Sequence, residues 1–137
     1  GSDHVPFLPK KGQDLWSEFP GVVSFPWELP LMITEGVIKR GLTLSELVRI
    51  NSFGPAVRFG FYPRKGSLEP GADADLVLID MDDERPVHHE GKGTCIYEGM
   101  ALRGWPVLTI SRGRIVFEDG QVDESQAGQG RCVTRPH

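Results

Sequence analysis

Apolar residues along the chain change their period once, near residue 61. Through residues 1–26 no period is sustained, and Pro6, Pro9, Pro20 and Pro26 interrupt any helix. This reads as a long loop, and loops beyond about 12–15 residues in compact domains are usually functional. From Trp27 to Arg40 the pattern is helical: Leu29, Met32, Ile33, Gly36 and Val37 share one face, while Glu28, Thr34, Glu35, Lys39 and Arg40 occupy the other. Pro30 is compatible with this helix only in its first turn, and Gly41 ends it. Thr43-Leu44-Ser45-Glu46 is a capping box that opens a second helix, expected to end near Phe53. Gly54-Pro55 then restarts the chain into a short helical piece from Ala56 to Phe59, closed by Gly60.

After Tyr62-Pro63 the period is two. Glu69-Pro70-Gly71-Ala72 reads as a turn and Asp75–Asp80 as a strand bounded by carboxylates. Residues 81–106 read as irregular and polar. Val107–Ser111 and Arg114–Phe117 form a hairpin around Arg112-Gly113, Asp119-Gly120 is a second hairpin signal, and the tail from Asp123 reads as mobile. Helices first and strands later predict two regions with a border near residues 60–66. Neither region supplies the second layer that its apolar face needs, so both read as parts of a larger assembly. The chain opens Gly1-Ser2-Asp3-His4 without a methionine, which adds to the expectation of a processed chain or a piece of something longer.

Composition narrows the class. The 137 residues hold 39% hydrophobic and 25% charged residues, an ordinary globular balance that excludes a disordered chain. There is no apolar run long enough to span a bilayer, so no membrane partner is expected. The net charge of −4 disfavours nonspecific binding to nucleic acid. With 17 glycines and 11 prolines, tight turns are favoured over long helices. Cys95 and Cys132 form neither a disulfide framework nor a zinc ribbon, and a reducing, cytoplasmic setting is expected.

Chemistry-bearing residues are few. Asp3-His4 could bind a metal, act as base and acid, or cap a turn; spacing alone favours the structural role. His88-His89 are adjacent, so on an extended chain they point apart and do not share an ion. That pair reads as a solvated loop. Cys95 has no base nearby in sequence to make it a nucleophile, and His137 is terminal. Asp80, Asp82, Asp83 and Glu84 lack the regular spacing and glycine hinge of a hard-cation loop and read as a solvated turn.

Three stretches taken together resemble one family. Gly1-Ser2-Asp3-His4-Val5-Pro6-Phe7 resembles the segment that closes the last barrel strand of the cyclic amidohydrolases, the hydantoinase, dihydropyrimidinase and allantoinase branch. Phe61 through Val77 resembles that family's YPRKG and DADLV signature. Ile96-Tyr97-Glu98-Gly99, Leu102-Arg103-Gly104 and Thr109–Gly113 resemble its closing pattern. The resemblance runs from residue 1 to about residue 120.

It implies an α/β fold: the C-terminal part of a (β/α)8 TIM-like barrel of a metal-dependent hydrolase, joined to part of a small β-sandwich. Residues 1–62 would end the barrel and residues 63–137 would supply sandwich strands and the tail. The implied activity is hydrolysis of a C–N bond in a small cyclic amide, imide or ureide. The implied cofactor is a binuclear divalent metal, zinc by resemblance, with all ligands but one outside this chain. Asp3 is the ligand present, and it would also move the proton from the attacking hydroxide to the departing nitrogen. His4 takes a supporting role, and Gly21, Val22, Val23 and Ser24 would offer backbone groups to the substrate.

The implied partners are the missing N-terminal portion of the same enzyme and further copies of it, a tetramer by analogy. Phe7 stands where dihydroorotases carry a carboxylate-binding histidine, which argues against a carboxylated dihydropyrimidine. Pro20 through Ser24, and His88-His89 through Thr94, resemble the allantoinase version, whereas Tyr62–Gly66 is hydantoinase-like. The alternative is a non-catalytic scaffold related to dihydropyrimidinase; the retained Asp3 weighs against it. A free-standing β-rich binding module would leave the first 60 residues unexplained.

Overall fold

The computed structural model describes residues 4–5, 21–91 and 93–134. Asp3, Phe7 and His137 lie outside the described residues, as does most of the 1–26 loop. A short 3₁₀ turn, Phe25–Trp27, leads into α1 (Glu28–Leu31), which continues as a π-helical stretch over Met32–Ile38. Pro30 sits within the four residues of α1, where its missing amide costs no intrahelical bond. Gly41 ends the run with φ +73°, its amide reaching Val37 O and that of Leu42 reaching Gly36 O.

The π turns change which side chains face inward. Thr34, expected on the outer face, is buried, because each wider turn carries an extra residue and rotates the positions after it. Its hydroxyl donates to Arg103 O at 3.3 Å and accepts from Arg103 N at 2.8 Å, so it completes the backbone pairing of a strand. Ile33 beside it is fully buried.

The capping box forms as expected. Thr43 Oγ1 accepts from Glu46 N, and the Glu46 carboxylate accepts from Thr43 N at 2.9 Å. The hydrogen bond from the Thr43 amide, and after it the one that the Thr43 hydroxyl donates to Glu46 Oε2 at 2.7 Å, hold the Glu46 carboxyl below its ordinary pKa. The helix does not break at Gly54-Pro55. α2 (Leu44–Val48) passes through a π stretch, Arg49–Phe53, into α3 (Gly54–Arg58). The wide turn lets Pro55, which has no amide to donate, follow without ending the helix. The Gly54 amide bonds Arg49 O, and a Cβ at Gly54 would stand 2.6 Å from that oxygen.

Four strands form one antiparallel sheet in the order β1-β2-β3-β4: β1 (Leu76–Pro86), β2 (Ala101–Ser111), β3 (Arg114–Glu118) and β4 (Gln121–Val122). Both hairpin signals hold, with positive φ at Arg112-Gly113 and at Asp119-Gly120. The segment 81–106 is more ordered than expected, since β1 runs on to Pro86 and β2 starts at Ala101. Its polar residues are satisfied within the ladder. Arg103 on β2 bonds Asp82 on β1 at 2.9 Å, and Asp80 Oδ1 accepts from the amides of Asp82 and Asp83 where the register shifts between Asp80 and Glu84. The four acids therefore stiffen a bulged strand instead of forming a solvated turn. Pro106, with no amide for the ladder, lies at the other register shift, between Leu78 and Ile79.

The signature around residues 62–77 is a clasp. Arg64 Nε bonds Asp73 Oδ2 at 3.0 Å, Lys65 Nζ reaches both Asp73 and Asp75, and Asp75 Oδ1 accepts from Arg112 N at 2.8 Å. It ties the end of α3 to the β2–β3 turn. Gly66 (φ +75°) fits beneath it because a Cβ would lie 2.6 Å from that of Ala56.

The principal core is Val23, Trp27, Val87 and Leu102, with Leu31, Cys95, Tyr97, Met100 and Trp105 packed around it. Helix and sheet meet at Gly104 (φ +83°), where a Cβ would stand 2.6 Å from Ile33 Cγ2. The other faces are uncovered: Leu44, Val48 and Val57 on the helices, and Val77, Leu78 and Val122 on the sheet, are exposed. No helix among the described residues is long and apolar enough to cross a membrane.

Two outcomes follow from this packing. Gly104→Ala should destabilise the fold by about 2–4 kcal/mol, from overpacking against Ile33 plus left-handed backbone strain; a urea-unfolding loss below about 0.5 kcal/mol would contradict the close contact. The 137-residue chain alone should self-associate through its uncovered apolar faces. Sedimentation showing a monodisperse monomer with cooperative unfolding would overturn that expectation.

Candidate active site

Two backbone segments far apart in sequence lie side by side. His4 forms a parallel bridge with Val22, and Val5 N donates to Val22 O at 3.1 Å. Gly21 allows this approach, because a Cβ there would fall 2.3 Å from Val5 Cβ. On the other side Val23 N donates to Thr94 O at 2.9 Å, and the Val23 side chain is buried. Residues 21–24 are thus held on both flanks.

His4 acts on this segment through its ring. Nδ1 accepts hydrogen bonds from Ser24 N and Phe25 N, each at 3.2 Å, and the Phe25 ring stands edge-on at 6.3 Å. With Nδ1 accepting, the ring proton resides on Nε2. The imidazole fixes the start of the turn that leads into Trp27, whose amide donates to Ser24 O at 3.0 Å.

The 88–98 segment closes around the same place. His88 and His89 point apart, as expected for neighbours on an extended chain. His88 Nδ1 lies 3.0 Å from Glu98 Oε1 and Nε2 lies 3.3 Å from Glu90 Oε1, while the His89 ring packs edge-on to Trp27 at 5.5 Å. Glu98 Oε2 also accepts from His89 N at 3.0 Å. The hydrogen bond to Glu98 raises the His88 pKa above its ordinary 6.5, and the same bond lowers that of Glu98. Cys95 is half-buried against the core and Cys132 is exposed; both are free thiols.

The structure therefore brings His4 together with Gly21, Val22, Val23 and Ser24. The amides of Val23 and Ser24 already have protein acceptors, in Thr94 O and His4 Nδ1. Asp3 lies outside the described residues and is joined by one peptide bond to His4. Thr94, Phe25 and Trp27 were not legible as neighbours of this place, since their partners are backbone atoms and ring faces that leave no spacing signal. Among the described residues no three His, Cys, Asp or Glu side chains gather as a metal-binding group, and His4 Nδ1 is occupied by two amides. The described residues do not by themselves fit a metal centre.

Comparison with known proteins places the chain. The model of the amidohydrolase family matches residues 21–116, and the chain belongs to that family, whose members are generally metal-dependent. It is 39% identical to an L-hydantoinase of Paenarthrobacter aurescens over 98% of this chain and 31% of that protein. An allantoinase of Rubrobacter xylanophilus is 39% identical over 93% of this chain and 29% of its own length. Dihydropyrimidinase-related protein 5 of Homo sapiens is 34% identical over 87% of this chain and 22% of its own length. Among solved structures, the dihydropyrimidinase from Brevibacillus agri superposes with a TM-score of 0.81 at 32% identity, covering 90% of this chain and 29% of that one. The fold is that of part of a hydantoinase-type TIM-barrel enzyme, and the chain spans less than a third of the length of these relatives.

The His88–Glu98 pair gives a titration with a definite sign. Because the folded His88 value is raised, its contribution is complete below 6.5 and is lost as pH climbs through the raised value. Glu98, lowered, contributes above 4.5 and loses its contribution as pH falls through its lowered value. The loop should be held most firmly between these limits. Glu98→Gln should bring the His88 titration, followed by NMR, back toward 6.5; an unchanged titration would show that the pair does not form.

Proposed function

We propose that this chain forms the C-terminal part of a hydrolase that opens a small cyclic amide, imide or ureide at a C–N bond. The observation that carries the reading is the meeting of His4–Val5 with Gly21–Ser24 in a chain equally similar to an L-hydantoinase and an allantoinase. The scaffold alternative is weaker, because similarity to the dihydropyrimidinase-related protein is lower in identity and covers less of the chain.

Asp3 carries the proton chemistry in this reading. Water adds to the ring carbonyl, the Asp3 carboxylate accepts the proton the water releases, and the carboxylic acid so formed hands it to the nitrogen as the C–N bond breaks. His4 is a positioning residue: its Nδ1 fixes the amides of Ser24 and Phe25, and so the edge that Gly21, Val22, Val23 and Ser24 present to the substrate. A binuclear divalent centre, with zinc as the expected metal, would use Asp3 as one donor and take the rest from outside the described residues. Residues 1–62 complete the barrel end and 63–137 the sandwich. The two free cysteines support a reducing, cytoplasmic location, and the uncovered apolar faces support packing against the rest of the enzyme and its further copies.

The test is a substrate panel of hydantoin, dihydrouracil, allantoin and succinimide, assayed with zinc or manganese on the full protein in which this chain occurs. At least one should turn over, and Asp3→Asn should cut its rate by about 10²–10⁴ while the fold is kept. No turnover of any member with metal bound would remove the hydrolase reading. An Asp3→Asn rate within about tenfold of the parent would move the proton transfer to another group.

A further inference from the structure

A second charged site lies away from the catalytic segment. Arg112, Arg114, Gln129 and Arg131 line a cleft of about 190 Å³. Its four residues come from two segments that the fold locks together. On one side the β2–β3 turn is pinned from beneath, with Arg112 N on Asp75 Oδ1 at 2.8 Å and Gly113 N on Ala74 O at 2.9 Å. On the other, the tail expected to be mobile is folded back. Asp123 N donates to Val116 O, the Asp123 carboxylate caps the turn at Glu124–Gln126, and the Arg112 guanidinium donates to Gln129 O. That last contact brings Arg131 to the cleft.

The gathering of arginines singles it out: Arg49 and Arg58 also lack an ion pair among the described residues, but neither lines this cleft. Arg40, Arg64, Arg85 and Arg103 each hold a carboxylate, on Glu35, Asp73, Asp83 and Asp82. The cleft is lined by three arginines, and no Asp or Glu among the described residues lines it. Asp75, beneath the Arg112 turn, is already engaged by the Arg112 amide and by Lys65. In a chain of net charge −4, three arginines gathered at one cleft make a local positive field that favours an anion.

We propose that this cleft is a binding site for a phosphate group, either free phosphate or the head of a small phosphomonoester. Guanidinium forks match tetrahedral oxyanions in bidentate fashion, and the Gln129 amide adds a neutral donor. The volume is that of about six water molecules, at ~30 Å³ each, which admits one such group. The site is independent of the hydrolytic reading, because its lining residues share none with the His4 and Gly21–Ser24 segments.

Equilibrium dialysis of the full chain against radiolabelled phosphate, at ionic strength held constant with sodium chloride, tests it and tolerates self-association. One phosphate per chain should bind with half-saturation below about 1 mM. Arg114→Ala/Arg131→Ala should weaken binding at least about tenfold, Arg114→Lys/Arg131→Lys should fall between, and Arg40→Ala should leave it unchanged. Displacement by glycerol phosphate at equal or lower concentration assigns the site to a phosphomonoester, and displacement only at higher concentration to free phosphate; both uphold it. No saturable binding up to about 10 mM, an equal loss in Arg40→Ala, or tighter binding of succinate than of phosphate would overturn it.

Discussion

The architecture turns on one close approach, that of the helix at Ile33-Thr34 to the strand at Arg103-Gly104. Gly104 has no side chain and a positive φ, so Ile33 can lie against its backbone, and complete burial of such a side chain is worth about 1.5–3 kcal/mol. Next to it, Thr34 exchanges two hydrogen bonds with the backbone of Arg103, so no strand polar group at the contact is left without a partner. This fixes α1 against β2. Trp27, one residue before α1, is thereby held in one core with Leu102, Val87 and Val23. The backbone of Gly21–Ser24 inherits its position from that core, and the contact with His4 depends on it.

The same dependence shows why a recognisable motif need not carry chemistry. The residues of the 62–77 signature are charged and closely spaced, which invites a catalytic reading, yet they are engaged with one another. Burial draws the Lys65 pKa down, but hydrogen bonds to Asp75 and Asp73 outweigh it and raise the value. Lys65 in turn holds Asp73 low, with Arg64 assisting. The clasp joins α3 to the turn between β2 and β3, so an alteration there would reach the candidate segment Gly21–Ser24 only through the fold.

Much of this was legible from residue patterns. The capping box at Thr43, the stop at Gly41 and the two hairpins at Arg112-Gly113 and Asp119-Gly120 are local, and local geometry is what residue type reports best. The misread stretches have non-local causes. Thr34 turned inward because π turns shift the helical phase, and no apolar period announces that shift. Residues 81–86 joined β1 because Arg103, some twenty positions away, supplies their counter-charge. At the candidate site, His4 and Gly21–Ser24 could be associated through family resemblance. The route by which they meet, a ring nitrogen accepting two amides and a missing Cβ beside Val5, has no one-dimensional trace.

The distribution of burial bears on where the chemistry resides. Val23 of the candidate segment is buried in one core with Trp27, Val87 and Leu102, so that segment is well anchored. Around it, Phe25 is 67% exposed and the helices present Leu44, Val48 and Val57 to solvent. A hydrolytic site needs the reverse arrangement, with water excluded around the reacting bond so that charges act at full strength. The described residues also gather no metal-binding group. In the proposed reading, this part of the molecule holds one edge of the site rigidly and the enclosing wall is supplied from elsewhere. Precision at that edge still matters, since a displacement of about 1 Å in a catalytic group can cost on the order of 10²-fold in rate. In that reading, the His4 bridge and the Gly104 junction are the alignment devices of this edge, fixing the backbone of Gly21–Ser24.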